Sequence, residues 1–290
     1  MNETGSPITL YAWNLLLGGI DEDGEQRRLA QIDRITSWEP DLLWVTEATG
    51  WHLHGERRFR ELAEATGMEY LRPVPSYIGD GHNQSALFHR PTRVHAVAGP
   101  PGAVGAFHHG LMRAVCTTAD GRRFLVLGTH LAHSSGERRL EEAHHLSDYG
   151  SAFGPWPSDA LLVGDMNVPA PGDTEPEDWD AIPRNLHHRY REILPGGRFG
   201  GYDRRAVDLL IASGWRDAQD EVPGPVRAPT TGHWYDNEKV PMRLDQAYAT
   251  GRIRVLDYRT LVDDELDRLS DHRPITVTFT LPQTRAATAA

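Results

Sequence analysis

An acid and an imidazole, Asp271 and His272, stand side by side directly ahead of the alternating apolar run ITVTF. The same placement recurs along the chain. Asn14 follows ITLYAW, Glu47 follows DLLWVT, His130 follows RFLVLGT, and Asp165 and Asn167 follow ALLVG. A lone carboxylate at a strand end is usually a solvated loop residue or a helix cap. Read singly, Asn14 could merely end a strand, Glu47 could cap the next segment, and Asp271-His272 could be a turn acid and a surface histidine. Repetition at so many apolar strand ends implies instead that the strands bring these groups to one place.

These residue types fit one chemistry. Hard cations prefer carboxylate and amide oxygens and keep several waters. Asn14, Glu47 and Asp271 are therefore the candidate metal-site residues, with Mg2+ the expected ion and Mn2+ the second choice. One cysteine, Cys116, cannot build a thiolate site, and no His-Glu-x-x-His helix offers a zinc centre. Hydrolysis of a phosphate ester needs a positioned water and stabilisation of charge on the phosphoryl oxygens. Asp165 and His272 are candidates for orienting and deprotonating water, and His130 and Asn167 for donating hydrogen bonds to non-bridging oxygens. Asp245 could hold the His272 ring in one tautomer.

Substrate contacts are expected from Asn83, ahead of QSALF, and from Arg113 in LMRAVCTT, for which an external salt bridge is the alternative. Arg189 lies in a basic cluster with Arg184, His187, His188 and Arg191, and Trp234 with Tyr235 could form an aromatic wall. The adjacent pairs His108-His109, His144-His145 and His187-His188 do not make natural chelates, since neighbouring side chains diverge, and are expected at the surface. Cys116, in an apolar stretch, is expected to be buried and inert.

The elements that must carry these groups follow from period. ITLYAWN reads as a strand, and Leu29, Ile32, Ile35 and Trp38 recur at helical spacing until Pro40. DLLWVTE is a buried strand, and RFRELAEATGM a helix closed by Gly67. From residue 84 come QSALFHR, RVHAVAG, LMRAVCTT and RFLVLGTHL, the last two joined by the hairpin signal Asp120-Gly121. A helix over GERRLEEAHHLSDYGS precedes the strand ALLVGDMN. An irregular section then runs from about 168 to 203, with a short helix over DRRAVDLLIASG and three further strands behind it. About ten strands and four helices in mixed order imply an α+β or α/β sandwich.

Composition sets the remaining bounds. With 39% hydrophobic and 24% charged residues, the 290-residue chain is of the globular class. It has no internal repeat and no linker, so one domain over 1–282 with a frayed tail at 283–290 is expected. The net charge of −11 disfavours long duplex DNA, which usually meets a basic stripe. No stretch approaches the roughly 18 apolar residues of a membrane span, and no export signal opens the chain, so a cytoplasmic protein without a membrane partner is the expectation. The oligomeric state stays open.

Taken in order, WN at 13–14, VTE at 45–47, GTHL at 128–131, GDMN at 164–167, RLD at 243–245 and SDHRP at 270–274 resemble the motif set of the endonuclease/exonuclease/phosphatase superfamily, over residues 8 to 280. That resemblance implies a four-layer α/β/β/α sandwich, with two central mixed β-sheets flanked by helices and a site where strand ends converge. It makes Asn14 and Glu47 metal-site residues and His130, Asp165 and Asn167 phosphate- and water-handling groups. Asp245–His272 becomes the acid–imidazole pair, with Asp271 linked to the metal or to His272. Gln246 departs from the pattern, many members carrying an aromatic there. The implied activity is a Mg2+-dependent phosphodiesterase or nuclease. The alternatives are a phosphatase of a small metabolite or nucleotide and a non-catalytic binding protein of the same fold. The substrate would be a small phosphate ester or short or single-stranded nucleic acid. A sphingomyelinase-like role lacks its apolar hairpin, and VPMRLDQ replaces the Trp-Cys-Asp-Arg element of inositol polyphosphate phosphatases.

Overall fold

The alternation in ITLYAWN becomes strand β1 (Ile8–Asn14), with Ile8, Leu10 and Ala12 buried on one face. A computed structural model describes residues 5–100, 105–223 and 227–281, so the expected tail at 283–290 lies outside the described residues. The next strands are β2 (Leu42–Thr46), β3 (Glu69–Tyr70), β4 (Val74–Pro75), β5 (Gln84–His89), β6 (Val94–Ala98), β7 (Leu111–Thr118) and β8 (Arg123–His130). After them come β9 (Ala160–Asp165), β10 (Arg191–Leu194), β11 (Arg198–Tyr202), β12 (Arg216–Asp217), β13 (Asp245–Ala249), β14 (Arg254–Thr260) and β15 (Ile275–Thr280). The helices are α1 (Gln26–Trp38), α2 (Leu53–Thr66), α3 (Gly136–Ser147) and α4 (Arg205–Ala212).

Two mixed sheets result. One runs β14-β15-β1-β2-β5-β3, with β4 also on β5; the other runs β12-β13-β9-β8-β7-β6. Among the described residues only β1–β2 and β8–β9 pair in parallel, and each of these pairs is joined through a helix, as a parallel connection requires. Strands β2 and β9 are buried along their whole length, which is why they read as unbroken apolar runs.

The sheets pack face to face through Leu10, Trp44, Leu87, Val126, Val163, Ala247 and Val277. Helices α1 and α2 cover the outside of the first sheet through Ile32, Ile35, Phe59 and Leu62. Helices α3 and α4 cover the second through Ala143, Leu146, Val207 and Leu210. This is the α/β/β/α sandwich of the sequence reading. Trp44 fills the inter-sheet space below the strand ends, its Nε1 donating to the Thr129 carbonyl at 3.2 Å. Gly128 makes room for it, since a Cβ there would lie 2.6 Å from the indole ring.

Two details differ from expectation. Leu29 is 52% exposed, because the buried stripe of α1 is centred on Arg28, Gln31, Ile32 and Ile35. The section from 168 to 203 is not wholly irregular but ends in the antiparallel hairpin β10–β11. As expected of Pro40, helix α1 ends at Trp38, with Glu39 in the left-handed region. Among the described residues no helix is long and apolar enough to cross a membrane.

Candidate active site

Register alone assembles much of the constellation. In the second sheet His130 pairs with Asp165 across β8–β9, and Asp245 pairs with Asp165 across β13–β9. In the first, Asn14 is level with Thr46, the residue before Glu47. Glu47 and Asn167 both adopt left-handed backbone, φ 53° and φ 50°. Such conformations are uncommon outside glycine and recur at functional sites. The bends fall directly after β2 and just past β9, where they redirect side chains off the ends of the sheets.

The two sheets are tied at this end by side chains. Asn14 Nδ2 donates to Glu47 Oε1 at 3.1 Å and to Asp165 Oδ2 at 3.2 Å. Its Oδ1 accepts the Leu16 N–H at 3.1 Å. Asn14 therefore bridges two carboxylates, while its Oδ1 keeps a second lone pair beside the Leu16 N–H. The Asp271-His272 turn is fixed from β1: Ser270 Oγ donates to the Asn14 carbonyl at 2.6 Å and Trp13 Nε1 to the His272 carbonyl at 2.8 Å. Buried Arg27 and Gln31 of α1 donate to the carbonyls of both Leu15 and Leu269, clamping the loop after β1 to the loop before Asp271.

His272 Nδ1 lies 2.7 Å from Asp245 Oδ2, and its Nε2 faces Asp165 Oδ2 at 3.7 Å. Thr230 Oγ1 accepts from the backbone N–H groups of Leu244 and Asp245, fixing the start of β13. Burial opposes charge on His272, but the carboxylates of Asp245, Asp165 and Asp271 hold the imidazole well above its usual range. Burial pushes Asp165 up to about 7, the neighbouring Asp245 and Glu47 adding to it and the His272 cation opposing. His130 Nε2 sits 3.5 Å from Asp165 Oδ2, and burial together with the His109 and His272 rings drives His130 well below its usual range. The Asn167 amide gives one N–H to the Leu131 carbonyl at 3.0 Å, while its backbone N–H donates to Asp165.

A donor set for a hard cation is present beside this group. Burial and the facing charge of Asp271 both raise Glu47, and among the described residues no lysine or arginine pairs with either carboxylate. The phenol of Tyr235 is pushed up to about 12 by burial and by the same two carboxylates. Glu47 accepts from the Asn14 amide and the Leu17 N–H and Asp271 from Ser270, all neutral donors, and two acids without a cationic partner suit an ion such as Mg2+. Asp165, Asp245 and His272 also bring their ligand atoms within 4.8 Å of one another. A cation between those three would have to displace the short His272–Asp245 bond, so Glu47 with Asp271 is the better fit.

Two clefts meet at Glu47, Asn167 and His133. The first, of about 410 Å³, holds Arg189, Tyr190, Trp234, Tyr235 and Glu238 together with Asp271 and His272. The second, of about 500 Å³, holds Asn83 with Ser76, Asp80, His109 and His130. Asn83, Arg189 and Trp234 thus line the site. Arg113 does not: it lies on the helix-facing side of β7, over the Trp156 ring at 4.7 Å and bonded to Tyr149 Oη at 2.8 Å. Its neighbours Met112 and Ala114 face the inter-sheet core, so strand alternation turns Arg113 to the opposite face. The histidine pairs need a further correction. His144 and His145 are exposed, but His109 and His187 are buried. His187 Nε2 is held by the Trp179 and Ile182 carbonyls, whereas His109 stacks on His130 with ring centres 4.0 Å apart. His109 and His133 are the site residues that the sequence reading missed; His133, three residues past His130, carried the only signal. Gln246 points away from the pair, its amide bonded to the Val168 and Arg243 carbonyls.

The sequence matches no protein-family model and no curated protein. Solved structures do match over nearly its whole length. An endonuclease/exonuclease/phosphatase from Bacteroides vulgatus superposes with a TM-score of 0.67 at 15% identity, over 96% of this chain and 100% of that one. Bacteroides thetaiotaomicron mannosyl-6-phosphatase gives 0.61 at 16% identity, over 94% and 99%. D. rerio TDP2 complexed with a single-strand DNA product gives 0.62 at 15% identity, over 95% and 99%. The chain has the endonuclease/exonuclease/phosphatase fold.

Proposed function

We propose that the protein is a divalent-cation-dependent hydrolase of phosphate esters, acting on phosphodiesters in preference to monoesters, with Mg2+ as its ion and Mn2+ as a substitute. The observation that carries this reading is the chain Asp245–His272–Asp165, at 2.7 and 3.7 Å, contributed by three distant segments next to the unpaired acids Glu47 and Asp271. The solved structures of the same fold support it, since they include a protein named as a phosphatase and one holding a DNA product.

A cation held by Glu47 and Asp271 would supply positive charge against the phosphoryl oxygens. Asp165 takes the proton of the attacking water; its raised carboxyl pKa suits a base working near neutrality. His272, with Nδ1 locked on Asp245, presents Nε2–H to a phosphoryl oxygen and stabilises the charge that builds there. His130 Nε2 and the remaining Asn167 amide N–H are further donors to non-bridging oxygens. Asn14 keeps Glu47 and Asp165 apart in fixed positions. Arg189 and Trp234 in the first cleft and Asn83 in the second receive the organic parts of the substrate, either a small molecule or the end of a short single strand.

Phosphatase action on a small phosphorylated metabolite is the second reading, favoured by the modest volume of the first cleft. A binding protein that keeps the sandwich without the chemistry finds no observation in its favour, because Glu47, Asp165, Asn167 and His272 are all retained. The test is hydrolysis of bis(p-nitrophenyl) phosphate. EDTA is expected to silence the wild type and Mg2+ or Mn2+ to restore it, while Glu47→Ala and His272→Ala remain folded and inactive. Turnover persisting in both variants, or in EDTA, overturns the assignment.

A further inference from the structure

The second cleft joins the first at Glu47, Asn167 and His133, yet its chemistry is different. No lysine or arginine lines it among the described residues, and its charged groups are the acids Glu47 and Asp80. Its inner wall is a histidine stack. His109, 6% exposed, lies nearly parallel to His130, 3% exposed, at an interplanar angle of 16°. Burial and the neighbouring rings of His133 and His108 push His109 down to about 3, so the ring is neutral.

The hydrogen bonds around His109 fix what it can offer. Ser76 Oγ lies 2.9 Å from His109 Nδ1, 3.2 Å from the His108 carbonyl and 3.3 Å from the Ile78 carbonyl. A serine hydroxyl has one proton, and both carbonyls can only accept. The His108 carbonyl already accepts the Tyr77 N–H, so the network closes when Ser76 donates to the Ile78 carbonyl and His109 donates from Nδ1–H to Ser76. That tautomer leaves Nε2 as a bare acceptor, and His109 Nε2 is buried without a partner. An unsatisfied buried acceptor calls for a donor from a ligand.

We propose that the second cleft is a subsite for an uncharged, hydroxyl-bearing substituent of the phosphate ester, a polyol or sugar, whose O–H donates to His109 Nε2. The proposal rests on the phosphodiesterase reading above and names the group on one side of the phosphorus. An ester with a second phosphate on this side would meet Asp80 and Glu47 with no cationic side chain to receive it. A strand continuing through both clefts is therefore disfavoured, and the site takes small diesters or chain ends.

The test compares p-nitrophenyl phosphodiesters whose second substituent is 2,3-dihydroxypropyl, propyl, 2-aminoethyl or 2-phosphoethyl. The nitrophenyl ring is expected to stack on Trp234 and Tyr235 in the first cleft, leaving the variable group to the second. The dihydroxypropyl ester is expected to exceed the propyl ester in kcat/KM by about tenfold, the worth of one buried hydrogen bond. In His109→Leu that ratio falls toward one, and in Ser76→Ala, which keeps the ring but frees its tautomer, it falls part of the way. A wild-type ratio near one, a ratio that survives both substitutions, or a preference for the aminoethyl or phosphoethyl ester overturns the subsite. Nitrophenol release from the propyl ester reports the parent reading separately. Calorimetric binding of dihydroxypropyl against propyl methylphosphonate reads the same discrimination without turnover, so the subsite stands or falls even if every ester is inert.

Discussion

Asp245 decides which nitrogen of His272 carries a proton toward the substrate side, since its Oδ2 lies 2.7 Å from Nδ1. An amide in its place can offer the ring an N–H instead of a lone pair. Asp245→Asn is expected to lower kcat by roughly 10³ to 10⁴ on the precedent of acid–imidazole pairs elsewhere, with KM little changed. The pH–rate profile gives the sign. The Asp245 charge raises the His272 pKa, so its removal lets the imidazolium deprotonate at lower pH, and the alkaline limb moves down. An unmoved limb would mean that His272 does not act as a cation. Acid and imidazole types at strand ends were legible in the sequence. The job of Asn14 was not, because it turns on the direction of its amide, set by a backbone N–H of Leu16 two residues away. Nor was His109 legible: adjacent histidines on a loop show nothing of which one a fold turns inward.

Helices and strands hold these groups by polar contacts that periodicity does not register. Arg27 and Gln31 are buried on α1 because they bond the carbonyls of both site loops, and their burial displaced the stripe that Leu29 was expected to join. Glu142 of α3 plays the same part on the other sheet. Its two carboxylate oxygens accept the backbone N–H groups of His108 at 2.7 Å and Ala132 at 2.8 Å, fixing the segments that carry His109 and His130. Burial pushes Glu142 up to about 7 from an ordinary 4.5. A raised folded-state pKa contributes stability that is complete below the unfolded value and lost as pH rises through the folded one. The wild type is thus expected to unfold at higher urea near pH 5 than near pH 8, and Glu142→Gln to flatten that dependence; parallel slopes would contradict this. Packing gives a second expectation. Gly128→Ala drives a methyl toward the Trp44 ring and is expected to destabilise by about 1–3 kcal/mol, read as a lowered urea midpoint. By contrast, the longer strands, the Asp120-Gly121 hairpin and the Gly67 helix stop were legible, since local period and turn chemistry decide them, while the short β3, β4 and β12 and the β10–β11 hairpin were not.

For the molecule as a whole, two sheets packed face to face bring their strand ends to a common edge, on a chain whose net charge of −11 opposes the approach of a long polyanion. Binding to nucleic acid through the phosphate backbone scales with the lysines and arginines that meet it. Fluorescence anisotropy is accordingly expected to detect no salt-sensitive binding of a 20-base-pair duplex at concentrations where a small diester is turned over, and tight duplex binding would show that charge elsewhere on the surface governs recognition. The order of the motifs made the layer arrangement readable before any coordinates. The two clefts were not, because their walls come from loops whose paths no periodicity encodes. The most direct measurement is the rate of bis(p-nitrophenyl) phosphate hydrolysis by metal-stripped protein as Mg2+ is added, wild type beside Glu47→Gln. Saturable activation in the wild type with activity lost, or its Mg2+ requirement shifted upward by orders of magnitude, in the variant is the predicted result. Equal rates with and without Mg2+, or matching titrations for the two proteins, would contradict a cation held at Glu47 and Asp271.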